Sequence, residues 1–251
     1  MKQVSVFDKY AHEYEILTNA EAREKPHSEE VRGLVERFHP TSVLDAGCAV
    51  GLTAKLFARE GVSSVGLDRS RQMIAEARRK HGREGLPLEF VKGSFERLPR
   101  RLDGRFDLVV CLANSIAGVG TLGNLRRSLA GFFRVLKPGG TLVLQALNYR
   151  AVKEGEILPV RATQRDDIGY LRFARRRGLR QELTVIRLDL STRPFTFETF
   201  VHEFDNFTPA QLKAALGRAG FQRIKRYGDL RFSHAFRKSS RDIVLTAAKD
   251  K

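Results

Sequence analysis

Cysteine is scarce in this 251-residue chain, which has two, Cys48 and Cys111. Both lie inside apolar segments without C-x-x-C spacing or a histidine at ligand spacing, which argues against a disulfide framework or structural zinc site and leads us to expect a reducing, cytoplasmic setting. Long apolar runs are missing too. The best candidate, residues 106–120, is broken by Asp107, Asn114 and Ser115, so no bilayer span and no membrane partner are expected. Met1 to Ser5 lack a charged-then-apolar export pattern. Repeats and low-complexity tracts are absent, and 21 Gly and 8 Pro are ordinary numbers, so collagen-like, coiled-coil and largely disordered organisations drop out. Acidic residues are outnumbered, 29 Asp and Glu against 45 Lys and Arg, for a net charge of +16. That excess bears on partners and solubility rather than on fold. Its densest cluster, Arg172, Arg175, Arg176, Arg177 and Arg180, reads either as a patch for phosphate or an acidic partner, or as a hairpin edge protected by charge.

What is present is globular. With 42% hydrophobic residues, the length suits one large domain, or one domain with a sizeable insertion. Residues 1–39 read as loosely helical, with Tyr10, His12 and Tyr14 on a short amphipathic stretch and a helix over 28–38. Between 40 and 150, apolar strands at 42–46, 62–67, 88–92, 106–112 and 141–147 alternate with helices at 52–60, 71–80 and 121–136. Such strands, separated by helices, predict an α/β fold: a parallel sheet covered on both faces. From about 165 to 206 the texture shifts to alternation, which predicts a three-stranded antiparallel meander. Over 207–251, Thr208-Pro209 starts a helix, and two last strands complete the α/β core.

In an open parallel sheet, ligands sit beyond the carboxyl ends of the strands. Gly47-Cys48-Ala49-Val50-Gly51 joins the first strand to its helix, where small residues admit a ligand to the backbone and helix N–H groups face it. Asp68 ends the second strand, where a carboxylate can accept from both hydroxyls of a ribose. Together they describe a nucleoside site. A dinucleotide G-x-G-x-x-G register fails, because Leu52 stands where the last glycine belongs. The plainer alternative is a turn that only packs strand on helix, with Asp68 as a helix cap.

Val43-Leu44-Asp45-Ala46-Gly47-Cys48-Ala49-Val50-Gly51, Val65 to Ser70 with Met73-Ile74, Phe106 to Leu112, and Leu136-Lys137-Pro138-Gly139-Gly140 resemble the motifs of class I S-adenosylmethionine-dependent methyltransferases. The resemblance implies a Rossmann-like, seven-stranded, mostly parallel sheet with an antiparallel last strand. It also implies an N-terminal lid over 1–39, a cofactor-binding core over 40–150 and a substrate-binding insertion over 151–206. S-adenosyl-L-methionine is the implied cofactor. Gly47, Ala49 and Gly51 would line its methionine portion, Asp45 orient its ammonium through the loop, and Asp68 hold the ribose. Arg69 would flank the adenine, Ser94 and Phe95 meet it, and the Leu112 carbonyl accept from the ammonium. Met73 and Tyr14 complete the set. Ala49 replaces the usual middle glycine, and Ser94 a frequent aspartate. Leu112 to Ile116 and Asn148-Tyr149 are similar to the glycine and sarcosine N-methyltransferase branch. That branch has an arginine where Leu147 stands, which argues against glycine itself.

The expected reaction is methyl transfer to a small-molecule acceptor, at nitrogen or else oxygen, by in-line displacement in which positioning does most of the work. An amine must only be neutral, whereas a hydroxyl needs a base. Asn114 and Tyr149 are the expected substrate-facing groups, Tyr14 a closing group, and His234 the candidate base. His202 lies on an alternating apolar face and reads as a core histidine. An RNA methyltransferase using the basic surface and a non-catalytic cofactor-binding module are the competing readings. No pattern fixes an oligomeric state.

Overall fold

Five apolar runs become parallel neighbours in the computed structural model, which describes residues 5–178 and 180–250. They are β1 (Ser42–Ala46), β2 (Ser63–Asp68), β3 (Leu88–Lys92), β4 (Phe106–Cys111) and β5 (Leu136–Leu147). β6 (Ile157–Arg165), β7 (Ile168–Arg177), β8 (Arg180–Asp189) and β9 (Thr196–Asp205) form a separate antiparallel sheet. β10 (Gln222–Tyr227) and β11 (Asp242–Ala248) return to the first sheet, whose order is β10-β11-β5-β4-β1-β2-β3. β11 is antiparallel to both its neighbours. Strand order reverses between β1 and β4, the switch point at which such sheets bind ligands.

The helices are α1 (Val6–Lys9), α2 (Tyr14–Thr18), α3 (Ala20–Phe38), α4 (Leu52–Arg59), α5 (Arg71–His81), α6 (Leu122–Val135) and α7 (Pro209–Arg218). Alternate strand residues point to opposite faces. Leu44, Val109 and Leu144 therefore pack with Leu129 and Phe132 of α6 and Leu216 of α7, while Val43, Val110 and Val143 pack with Leu34 of α3 and Phe57 of α4. Caps fix the helix starts: the Ser70 hydroxyl accepts from the Met73 N–H at 3.1 Å, and Thr208 forms a capping box with Gln211. At the opposite end of the sheet, Asp107 ties β4 to β1 and β5. It accepts from the Thr41 and Ser42 N–H groups at 3.1 and 3.0 Å and from Lys137 Nζ at 2.9 Å.

Three elements differ from expectation. The insertion has four strands, not three. β6 escapes the alternation pattern because it contains Pro159, which the sheet accommodates by a register shift between 159 and 161. α3 starts at Ala20 rather than near 28: its first half carries no apolar stripe and is held by ion pairs, Glu21 to Arg165 at 3.3 Å and Glu24 to Lys55 at 3.7 Å. β5 starts at Leu136 rather than Thr141, taking the Lys-Pro-Gly-Gly turn into an irregular ladder with β4.

The N-terminal segment wedges between the sheets. Val6 and Leu17 pack on Tyr170, Val185 and Phe200 of the second sheet, while Ala11 packs on Val50 and Met73 beside the glycine turn. Among the described residues no helix is long and apolar enough to cross a membrane.

Candidate functional site

The turn after β1 needs its small residues. Gly47 and Gly51 have φ of 88° and 91°, in the left-handed region that side chains resist. A Cβ on Gly47 would lie 2.7 Å from Ser115, with the Phe95 ring at 3.2 Å, so bare main chain there faces a wall of Ser115 and Phe95. A Cβ on Gly51 would lie 2.6 Å from the Phe90 ring, so this glycine serves close packing at the start of α4. Ala49 holds the same left-handed conformation at φ 48° despite its methyl group. Its N–H donates to Asp68 Oδ2 at 3.1 Å, and the Ser70 N–H donates to Asp68 Oδ1 at 2.9 Å. Asp68 thus caps locally, as the plainer reading has it, while keeping further acceptor capacity. Burial raises its pKa, against the pull of those two N–H groups.

Asp45 is the other carboxyl group at this turn. It is 2% exposed, and its Oδ2 is buried without a hydrogen-bond partner. Burial, and then the charge of Asp68, push its pKa up to about 7. A buried orphan acceptor in a charged group is costly unless a donor arrives.

The remaining cofactor candidates ring this turn. Met73 and Tyr14 close on it from α5 and α2, packing with Val50 and Ala49. Burial raises the Tyr14 phenol, which feels the charges of Arg23, Asp68 and Arg172. Arg69 reaches across to the Gly118 carbonyl at 3.4 Å. Phe95 packs on Phe132 with the rings tilted, centroids 5.4 Å apart, and the Ser94 carbonyl accepts from the Arg97 N–H at 3.2 Å. The Leu112 carbonyl already accepts from the Ser115 N–H at 3.0 Å, leaving one lone pair. Beyond it, Ala113 and Asn114 are consecutive left-handed residues with φ of 51° and 65°, a strained exit from β4. Asn114 Oδ1 accepts from the Leu147 N–H at 3.0 Å, so this side chain ties the ends of β4 and β5 together.

Tyr149 and His234 stand apart from this group. Tyr149 is buried in the turn after β5, among Asn206, Phe207 and Pro209, with its phenol raised by burial. His234 pairs with Asp229, Nδ1 to Oδ2 at 2.8 Å, and its Nε2 packs against Gly228. It follows β10, four strand spacings from β1, or about 19 Å. His202 lies on the inner face of the second sheet between Phe7 and Phe204, centroids 5.2 and 6.3 Å away; its Nε2 is buried and unpartnered. Burial, and then Arg69, lower its pKa.

Sequence reasoning missed the group that holds the wedge in place. Glu13 is buried and receives two hydrogen bonds from Arg187, at 2.8 and 2.7 Å, and a third from the Tyr170 hydroxyl. Although burial opposes it, these donors hold Glu13 below the usual carboxylate range. The signal was present: Arg187 interrupts the inward-facing series Leu183 and Val185, directly opposite Tyr170. The arginine run also resolves. Arg175 and Arg177 both pair with Glu182, at 2.8 and 3.3 Å, Arg176 with Glu154 at 3.5 Å, and Arg180 with Asp205 at 3.3 Å. Arg172 has no such partner among the described residues.

Residues 43–140 match the family described as a methyltransferase domain. A glycine/sarcosine N-methyltransferase of Halorhodospira halochloris is 24% identical over 96% of this chain and 87% of its own length. The glycine/sarcosine/dimethylglycine N-methyltransferase of Actinopolyspora halophila is 26% identical over 83% of this chain, which spans only 36% of that protein. For a second glycine/sarcosine N-methyltransferase, from Parasynechococcus marenigrum, the match is 32% identical and covers 49% of this chain and 43% of the relative. This chain thus spans less than half of two of these three relatives. Two solved structures share the fold: an S-adenosylmethionine-dependent methyltransferase from Clostridium acetobutylicum, with TM-score 0.79, 16% identity and coverage of 98% and 100%, and CalS10, an amino pentose methyltransferase from Micromonospora echinaspora, with TM-score 0.73, 21% identity and coverage of 92% and 96%.

Proposed function

From the premise that this chain is a class I S-adenosylmethionine-dependent methyltransferase, with its methyltransferase domain at residues 43–140, we propose that it methylates an amine nitrogen on a small molecule. The observation that carries this reading is enclosure. Tyr14 and Ala11 of the N-terminal wedge and Met73 of α5 cover the glycine turn, and the wedge is roofed by the second sheet. A covered site of this kind suits a molecule that can be engulfed. The pairing of four of the five clustered arginines with carboxylates weighs against the RNA alternative, which draws on that run together with the net charge of +16.

The residues fit the cofactor. The orphan Asp45 oxygen offers an acceptor to a cationic group, Asp68 retains lone pairs for hydroxyls, and Gly47 leaves main chain bare against Ser115 and Phe95. When bound, S-adenosylmethionine supplies a methyl group on a sulfonium, open to displacement from the side opposite the sulfur. The protein's part is to orient, to exclude water and to leave the acceptor nitrogen neutral. Asn114 acts as a positioning residue, since its carboxamide fixes the β4 exit on β5. Tyr14 closes the site with a phenol that burial keeps protonated. A dedicated base has no place in this scheme: His234 belongs to the far edge of the sheet, and an amine does not require one.

The test is a screen of amines, amino acids, amino sugars, phenols and tRNA with methyl-labelled cofactor. Label in a small amine is the expected result; label in RNA alone overturns the reading.

A further inference from the structure

Arg161 of β6 and Arg172 of β7 are direct cross-strand partners, an arrangement that like charges resist when nothing lies between them. Arg172 shares its strand face with Tyr170, which is buried under the N-terminal wedge, so half-buried Arg172 lies on the covered side of the sheet while Arg161, on the edge strand, stays exposed. Its Nε is buried without a hydrogen-bond partner, and so are Thr163 Oγ1, two residues from Arg161, and His202 Nε2. Arg23 of α3 brings a third positive charge to the same place. Burial, Arg161 and Arg23 together hold Arg172 below its ordinary range, with only the Tyr14 phenol opposing them. Among the described residues, no carboxylate pairs with any of the three arginines, although their neighbours along β7 and β8 are all matched. Uncompensated buried charge is costly, and it persists where a ligand supplies the missing charge.

We infer that Arg161 and Arg172, with Arg23 at the mouth, form an anion subsite that grips a carboxylate or phosphate on the methyl acceptor. The inference rests on the small-molecule reading of the site and gives that acceptor a chemical class, an amine carrying an oxyanion. Guanidinium forks suit either group, because both present two oxygens to parallel N–H donors. Tyr14, which feels both Arg172 and Asp68, stands between this subsite and the cofactor turn.

The experiment is thermal unfolding of the full chain saturated with S-adenosylhomocysteine, titrated with inorganic phosphate or acetate against sodium chloride at matched ionic strength. Phosphate or acetate at about ten times its Kd should raise the midpoint by roughly 3–6 °C beyond chloride. A response to phosphate alone identifies a phosphorylated acceptor, and a response to acetate a carboxylate. Arg172→Gln and the more exposed Arg161→Gln should both lose the shift while keeping S-adenosylhomocysteine affinity, by calorimetry, within threefold. Without ligand, Arg172→Gln should unfold at a higher temperature than the wild type, which a merely structural arginine would not give. Equal shifts in wild type and both variants, or no anion-specific shift in the wild type, overturn the inference. Failure of the wild type to bind S-adenosylhomocysteine brings down the cofactor reading instead, and calorimetry shows that separately.

Discussion

Asp45 and Asp68 sit at one turn with opposite endowments, and their chemistry follows from the difference. Asp68 is held by two N–H groups, whereas Asp45 keeps an oxygen in a buried void of donors. With its pKa pushed up to about 7, native Asp45 retains a proton that the unfolded chain gives up near pH 4. The unfolded state therefore binds fewer protons across that window, so this group's contribution to stability is largest below pH 4, declines as pH rises to about 7 and is level above. The ammonium of the ligand favours the carboxylate, so S-adenosylhomocysteine affinity should climb by up to about tenfold per pH unit below 7 and then flatten. Calorimetry between pH 5.5 and 7.5 checks this, and Asp45→Asn should be weak and flat throughout. An affinity independent of pH in the wild type would remove Asp45 from the site. For Asp68→Ala, the two ribose contacts proposed for this carboxylate would be lost, and a fall in affinity of about a hundredfold or more is expected, since hydrogen bonds to a charged group contribute about 1.5–3 kcal/mol each. Unchanged binding would leave Asp68 as a cap only.

The elements above that turn depend on one buried group. Glu13, Arg187 and Tyr170 join the N-terminal wedge to the second sheet, and the same wedge covers Met73. Glu13→Ala leaves Arg187 with only the longer contact to Asp189 at 3.5 Å, at a cost of up to about 3 kcal/mol. Faster amide exchange over residues 5–18 and weaker cofactor binding should follow, while β1 to β5 keep their protection. Exchange unchanged over 5–18 would mean that apolar packing alone holds the wedge. Arg187 on an inward-facing series marked one half of this group, but its partner was not legible, because the pairing of Glu13 with Arg187 joins residues 174 apart and depends on how two sheets dock. β1 to β5 were legible because a doubly covered strand writes itself as an apolar run, and the glycine turn because positive φ restricts residue choice. β6 was hidden by its proline, and the first half of α3 by a polarity that ion pairs satisfy. Asp107 was quoted as a motif residue, yet its work, gathering Thr41, Ser42 and Lys137, is visible only once three strand ends meet.

At the scale of the whole molecule, a net charge of +16 invites a polyanion, and the pairing within its densest run weighs against one. The densest run spends itself on Glu154, Glu182, Glu203 and Asp205, and its one unmatched member, Arg172, points inward to the covered site. A protein that neutralises 6–10 phosphates loses about 10³–10⁵ in affinity between 50 and 200 mM salt. A single small anion held at contact distance by one half-buried and two exposed guanidinium groups is screened far less, because salt acts mainly on exposed charges separated by more than about 10 Å at 0.1 M. The kcat/KM for a small amine acceptor should accordingly fall by less than about fivefold from 50 to 200 mM sodium chloride. Initial rates with labelled cofactor at four salt concentrations measure it, with S-adenosylhomocysteine affinity followed in parallel to separate acceptor from cofactor effects. A decline of a hundredfold or more, at constant cofactor affinity, would mean that the exposed basic surface recruits the acceptor and that the covered site has been misjudged.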